Sequence, residues 1–536
     1  MKKIFTLTIL VFGFLISVTA QVPEIVSSQL VFEVRHQSIA VIDSILYFPG
    51  HSGDWDSELW RSDGTEAGTY EVMDLNPTGR AYPHSFALIN DMLFFIADSM
   101  NVTKQLFKTD GTEEGTEWIA DVDDAGMENN HMFTASGGLL YYRTYRPTIG
   151  VELWVSDGTT EGTRMVKDIC ENWPSYPHEL TDFNGTLIFA AEDCEQSGDA
   201  LYKTDGTASN TVKIGGDGPL GLRAFGDTLF FSASFDDYGR ELARSTGVPG
   251  SIEMIDEINP GGGSSSIYHL TQVDTVIFFR AYHVDYGAEL FAYNQNTGVV
   301  ELVKDIWPGS SGSSFPDELI SYQGKLIFQG HDGVYGQELW ISDGTEEGTK
   351  MLKNINVEAG GPPYGHSYPG KFYEAAGLLF FQADDGENGT ELWQTDGTEE
   401  GTVMVHNIGH TYNGSDPGGF TEINGYLYFY AYYNDAYRLY KLELPESPAS
   451  VHPSPVVRPV FEIYPNPAGE ELTVSSNKLD QSFNYRVTDI QGREVLNGFN
   501  RGNQEFRINV SALNPGIYFL IIENSNNRQT DKFVKK

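Results

Sequence analysis

The chain has 536 residues, 34 Lys plus Arg against 75 Asp plus Glu, and a formal net charge of −41. That balance argues against a nucleic-acid partner, because phosphate binding needs clustered Lys and Arg. Two cysteines, Cys170 and Cys194, are too few for a metal-thiolate centre.

Residues 1–20 read as a secretory signal. Lys2 and Lys3 form the charged start, Ile4 to Ile16 is apolar, and Val18-Thr19-Ala20 offers small residues before a cut at Gln21. No later apolar run is long enough to cross a bilayer, so no transmembrane segment is expected. An exported chain meets an oxidising compartment, which permits a disulfide.

From residue 21 to 444 one phrase recurs: Glu-Leu-Trp, one residue, Ser/Thr-Asp-Gly-Thr, two residues, Gly-Thr. It is complete from Glu58, Glu152, Glu338 and Glu391, and eroded around Leu106, Leu201, Leu242, Leu290 and Leu439. The anchor leucines are spaced by 41 to 53 residues, a period that marks a β-propeller. In 316–355 the pattern predicts strands at Glu318–Tyr322, Lys325–Gln329, Glu338–Ser342 and Thr349–Ile355, four per blade. Adjacent Leu and Trp put apolar groups on both faces of the third strand, as a sheet packed between two neighbours requires. The Asp-Gly-Thr turn is explained by Asp accepting nearby N–H groups and Gly taking positive φ. Eight units are complete and the ninth, 420–444, lacks a fourth strand. Gln29 to Val34 is the expected filler, which gives nine blades, with eight as the alternative. These repeats resemble the ELWxxDGT repeat family of exported bacterial proteins, which implies a propeller-like array and no single activity.

Residues 445–460, with Pro445, Pro448, Pro453, Pro455 and Pro459, read as a stiff linker. Beyond them, 461–536 are balanced in charge and rich in short alternating strands, so an all-β fold continues as a small Ig-like β-sandwich. The Tyr464-Pro465-Asn466-Pro467 opening, Asp489-Ile-Gln-Gly-Arg493, Pro515-Gly-Ile-Tyr518 and Lys532-Phe-Val-Lys535 resemble the type A carboxy-terminal sorting domain of the type IX secretion system of Bacteroidota. That resemblance implies the type IX machinery as a partner and a place outside the outer membrane, released or attached to the cell surface.

Propeller topology puts the short Asp-Gly-Thr turns on one face and the longer, varied loops on the other. Trp173, Tyr176, Tyr268 and Trp307 fall on the varied face and are candidate contacts for a glycan or protein ligand. His36, His84, His131, His178 and His269 share a place at the approach to the innermost strand, with Asp317 equivalent to them. Converging there, they would hold a divalent metal; dispersed, they cap strands and loops. No catalytic motif stands out. A non-catalytic binding module is the first expectation, and a polysaccharide hydrolase or lyase with a site on the varied face is the alternative. Cys170 and Cys194 map to adjacent blades on that face, which predicts a disulfide between them.

Overall fold

The computed structural model describes residues 22–28, 30–33, 39–52, 56–99, 102–123, 133–171, 173–194, 198–357, 365–410, 414–445, 462–464, 469–475, 483–489, 493–500, 505–523 and 528–536. The expected signal at 1–20 and most of the linker lie outside them. Contacts divide the chain into two units, 1–446 and 447–536. Among the described residues both units are built from β-strands, and no helix is long and apolar enough to cross a membrane.

Among its described residues the first unit contains nine successive antiparallel sheets, numbered here in chain order. The seventh is representative: Asp317–Tyr322, Lys325–His331, Gln337–Ser342 and Lys350–Lys353, hydrogen-bonded in that order. Its strands fall where the alternation of apolar residues and turn glycines predicts them. The ninth comprises Gly418–Ile423, Tyr426–Tyr433 and Ala436–Glu443, completed by a strand from the chain's beginning.

That completing strand differs from expectation. Glu24–Ile25 pairs with the ninth sheet, Glu24 opposite Lys441 and Ile25 opposite Tyr440. Val31–Phe32, inside the segment expected to do so, instead pairs with Ile45–His51 of the first sheet. Packing explains the division. Val26, Leu30 and Phe32 are buried between the ninth sheet (Tyr428, Tyr430, Leu439) and the first (Leu46, Phe48). Arg438 also donates to the carbonyls of Ser28 and Leu30. The segment therefore crosses from one sheet to the other.

Each sheet buries both faces. Leu339 packs with the eighth sheet's Leu379 and Phe381, while Trp340 packs with the sixth sheet's Phe278 and Leu290. Leu59 and Trp60 divide likewise, Leu59 toward the second sheet and Trp60 toward the ninth. The apolar cores thus run from sheet to neighbouring sheet and return from the ninth to the first. Burying one such side chain contributes about 1.5–3 kcal/mol.

The Asp-Gly-Thr turn is closed on itself. Asp343 Oδ1 accepts the Thr345 N–H at 2.9 Å and its hydroxyl at 2.7 Å. The Gly348 N–H donates to Thr345 Oγ1 at 2.9 Å, and the Thr349 hydroxyl donates to the Thr345 carbonyl at 2.7 Å. These bonds, the Thr345 hydroxyl first, hold the Asp343 carboxyl below its ordinary range. The second glycine is required by space, since a Cβ on Gly348 would collide with the Asp343 carboxylate. The fifth sheet lacks the Asp and keeps another bond of the turn, the Gly247 N–H donating to Ser245 Oγ at 3.0 Å as Gly344 does to Ser342.

A disulfide joins Cys170 and Cys194, whose Cα atoms are 5.5 Å apart, an ordinary span for the bond. It links the segment after the third sheet's last strand, Arg164–Met165, to the loop before Asp199–Thr204 of the fourth. In the chain-entropy account a loop of this size contributes about 3 kcal/mol.

In the second unit, Glu462–Tyr464, Glu471–Ser475 and Glu505–Asn509 form one sheet. Phe483–Asp489, Glu494–Asn500, Gly516–Glu523 and Arg528–Lys535 form a second. They share one core around Leu472, Val474, Val487, Ile508 and Leu520.

Gly348→Ala is expected to lower stability by about 2 kcal/mol, a steric cost at an otherwise satisfied turn. Equilibrium urea unfolding measures it; an unchanged midpoint would show that the turn yields freely.

Candidate functional site

The end of the first unit that carries the varied loops is organised by the glutamate that precedes the anchor leucine in six of the repeats, full or eroded. Glu289 is the fullest case. It lies in Gly287–Asn294, the sixth sheet's third strand, and is fully buried. Its carboxylate accepts the N–H groups of Ile306 (3.0 Å), Trp307 (3.4 Å) and Ser314 (2.9 Å), and the Ser314 hydroxyl at 2.5 Å. One side chain thus holds the loop leaving its own sheet and the approach to the next. Glu338 does the same with Ile355, Asn356 and Ser367, and Glu391 with Ile408, Gly409 and Ser415. Glu152 accepts both the N–H and the hydroxyl of Ser175.

Burial outweighs these bonds in setting proton affinity. Desolvation raises Glu152, Glu241, Glu289 and Glu338 from 4.5 to about 7. Glu58 is raised further, to about 8. Its loop has Ala81 where the others have Ser175, Ser314, Ser367 and Ser415. Ala81 N–H donates to the Ser57 carbonyl, as Ser175 N–H does to Val151. Without that hydroxyl, Glu58 Oε1 has no hydrogen-bond partner among the described residues. Sequence reasoning about Leu-Trp and Asp-Gly-Thr passed over this glutamate. The available signal was its recurrence with a Ser some 23–29 residues later.

The histidines do not share one register. His84, Tyr268 and Asp317 occupy equivalent places, opposite Ile96, Arg280 and Gln329, as His178 does opposite Ala190. His269 lies one residue on, level with Ser85, Glu179 and Glu318, all four at positive φ. A one-residue shift in a strand sends the side chain elsewhere. His84 is buried and meets Ser85 Oγ (3.0 Å) and Lys104 Nζ (3.2 Å). His178 approaches Asp199 at 3.6 Å. His269 and Asp317 do come together, at 3.0 Å, with Arg280 4.0 Å from the same carboxylate. That imidazole, first among the causes, holds Asp317 below its ordinary range. Among the described residues no three His, Cys, Asp or Glu side chains are grouped to hold a metal. His36 and His131 lie outside the described residues.

The side chains one place on bind neighbouring sheets. Glu179 accepts the Leu222 N–H at 2.9 Å, Glu318 accepts the Lys371 N–H at 3.1 Å, and Lys371 donates to Asp416 at 3.1 Å. Of the expected set, His84 and His178 thus find partners within their own sheets, while His269 reaches Asp317 on the next.

The four candidate aromatics divide. Trp307 stacks on His331, ring centroids 4.6 Å apart, over Gly333, where a Cβ would strike the indole. It seals a loop. Tyr268 lies against the Arg280 guanidinium at 4.5 Å yet is half exposed. Trp173 is 71% exposed and Tyr176 45%. Tyr176 sits at a corner repeated before the innermost strands: Tyr82, Tyr176, Ser266, Phe315, Tyr368 and Asp416, all with φ between 43° and 48°. Phe315 and Tyr368, which sequence reasoning did not single out, are 49% and 56% exposed.

Residues 462–536 match the family described as a secretion system C-terminal sorting domain. A type IX sorting tail marks a chain for export across the outer membrane, to the cell surface or the extracellular space. No curated protein matches the chain. Similar solved structures include a puromycin hydrolase, at 13% identity over 67% of this chain and 59% of that one, TM-score 0.35. The β-propeller domain of the Trilobed protease from Pyrococcus furiosus shows 13% identity over 62% of this chain and 96% of that domain, TM-score 0.32. TolB from Acinetobacter baumannii shows 12% over 64% and 78%, TM-score 0.28. The chain spans about three fifths of the puromycin hydrolase, and no activity is carried over from any of them.

The glutamates set a pH dependence. Their native pKa values lie above that of the unfolded chain, so the stability they contribute is complete below pH about 4.5 and is lost as pH rises through about 7–8. His331, lowered chiefly by burial, acts oppositely below its free value of 6.5, as a single group. Urea midpoints are expected to fall from pH 5 to pH 8. Ala81→Ser supplies the missing donor, adds about 1 kcal/mol at pH 8 and makes the decline shallower. A flat profile, or no gain from the serine, would contradict the account.

Proposed function

We propose that the chain is a nine-bladed β-propeller followed by an Ig-like sandwich, secreted through a signal at 1–20 and the type IX machinery. In this reading it acts outside the cell as a non-catalytic binding module for a glycan or protein. The ninefold count rests on the nine sheets and on the apolar core that runs from the ninth back to the first.

The observation that carries the binding reading is the repeated corner. Its backbone is the same in all six places, and Ser266 and Asp416 satisfy it. A left-handed conformation at a bulky residue costs about 1–2 kcal/mol, so an aromatic is a poor choice on folding grounds. Tyr176, Phe315 and Tyr368 nevertheless stand there, each about half exposed, the Tyr368 ring with one face stacked on His366 at 5.1 Å. Exposed aromatics on a rigid loop-bearing face suit stacking on sugar rings or insertion into a protein partner.

The test is an array of bacterial, host and plant glycans and surface proteins, probed with the secreted chain. Binding to at least one is expected. A Tyr176→Ser, Phe315→Ser, Tyr368→Ser triple variant installs the side chain that Ser266 already carries at the same corner. It should keep its melting temperature and lose about tenfold or more in affinity. No partner of any class, or undiminished binding by the triple variant, would overturn the proposal.

A further inference from the structure

The second sheet breaks the repeat pattern in three places, and together they border one cleft. Gln105 stands where six of the other eight sheets have a glutamate, the fourth having Ala200 and the ninth Arg438, and it is nine-tenths buried. Its amide is turned within its own sheet, accepting from the Ser99 hydroxyl and donating to Asp121 Oδ1 at 2.7 Å. The bolt seen at Glu289 is absent, since the Val122 N–H goes to the Lys104 carbonyl instead. The pairing of its second and third strands slips beside Ser99, between Ala97 and Ser99, where the other sheets pair without a shift.

The third departure is Trp118 itself, opposite Phe107 in the last strand of the sheet, Glu117–Asp121. In the third, fifth, seventh and eighth sheets that place holds Met165, Met254, Met351 and Met404, all half-buried. Trp118 is 48% exposed. With Phe107, and with Met73 and Pro77 of the first sheet's outgoing segment, it walls a cleft of about 450 Å³. That lies within the range of small-ligand pockets, about 300–1,000 Å³. The polar atoms on its lining come from Gln105, Ser99 and Asp74.

We propose that this cleft is a carbohydrate subsite that takes a neutral pyranose stacked on the Trp118 indole. The inference rests on the binding function proposed above and gives it a location. A flat indole offers the apolar face that the C–H side of a sugar ring packs against, and Asp74 and Gln105 offer acceptors and a donor to its hydroxyls. Charge selects within the class. Asp74 lines the cleft, Asp121 is bonded to its Gln105, and the chain carries −41 overall. Uronic or sulfated sugars are therefore repelled and neutral ones are not.

The experiment is titration calorimetry of the secreted chain with cellohexaose, laminarihexaose, mannohexaose and chitohexaose, and with oligogalacturonate as the acidic comparison. At least one neutral oligosaccharide is expected to bind and the acidic one not. Trp118→Met, which installs the residue accommodated in four other sheets, should keep the melting temperature and weaken binding about tenfold or more. Trp118→Phe should retain most of it. Neutral binding undiminished in Trp118→Met overturns the subsite and leaves the binding function standing. Preference for the acidic oligosaccharide, or binding only to proteins on the array, also overturns it. Absence of any partner overturns both.

Discussion

The buried glutamate of the repeat is the interaction on which the rest of the first unit depends. Apolar cores press neighbouring sheets together, but hydrophobic contact is non-directional. Glu289 and Glu338 supply direction. Each fixes the loop leaving one sheet and the approach to the next through three or four donors on one carboxylate. Taking a carboxylate out of water is costly unless it is fully hydrogen-bonded. The raised pKa of these groups records what remains of that cost.

At the opposite end of the sheets that carry it, the Asp-Gly-Thr turn uses its polar groups on itself. Asp63, Asp157 and Asp343 accept from the Thr two residues on, and the Gly that follows leaves room for the carboxylate. The repeated letters of the sequence are thus consumed in folding. The proposed recognition residues are instead ones that vary between repeats: Tyr176, Phe315 and Tyr368 at the corners, and Trp118 where four other sheets have methionine. Trp307 shows that an aromatic on that face can also be structural, since its ring is taken up by His331 and Gly333.

Much of the fold was legible in the chain. The period of Leu-Trp set out the succession of sheets, and alternation placed the strands of the seventh within a residue or two. Cys170 and Cys194 pair as their positions on adjacent units implied. What failed depends on distances in space. The closing strand is Glu24–Ile25 because Leu30 and Phe32 are needed in the core between the ninth and first sheets. His269 aligns with His84 in sequence, but it is Tyr268 that takes the equivalent pairing, which no run of letters shows. The glutamate bolts were hidden by their span: carboxylate and hydroxyl lie 23–29 residues apart, a separation with no local periodicity. The Trp118 cleft was hidden too, because it arises from absences, a missing glutamate and a missing methionine.

The central claim is that the glutamate bolt couples one sheet to the next. A double-mutant cycle on Glu338→Gln and Ser367→Ala, read by urea unfolding at pH 5 and pH 8, measures that coupling directly. Ser367 Oγ lies 2.7 Å from the Glu338 carboxylate, and hydrogen-bonded pairs of this kind give interaction energies of about 0.5–3 kcal/mol. A coupling in that range, larger at pH 8 where the carboxylate is ionised, is the result predicted. Additive losses at both pH values would contradict it.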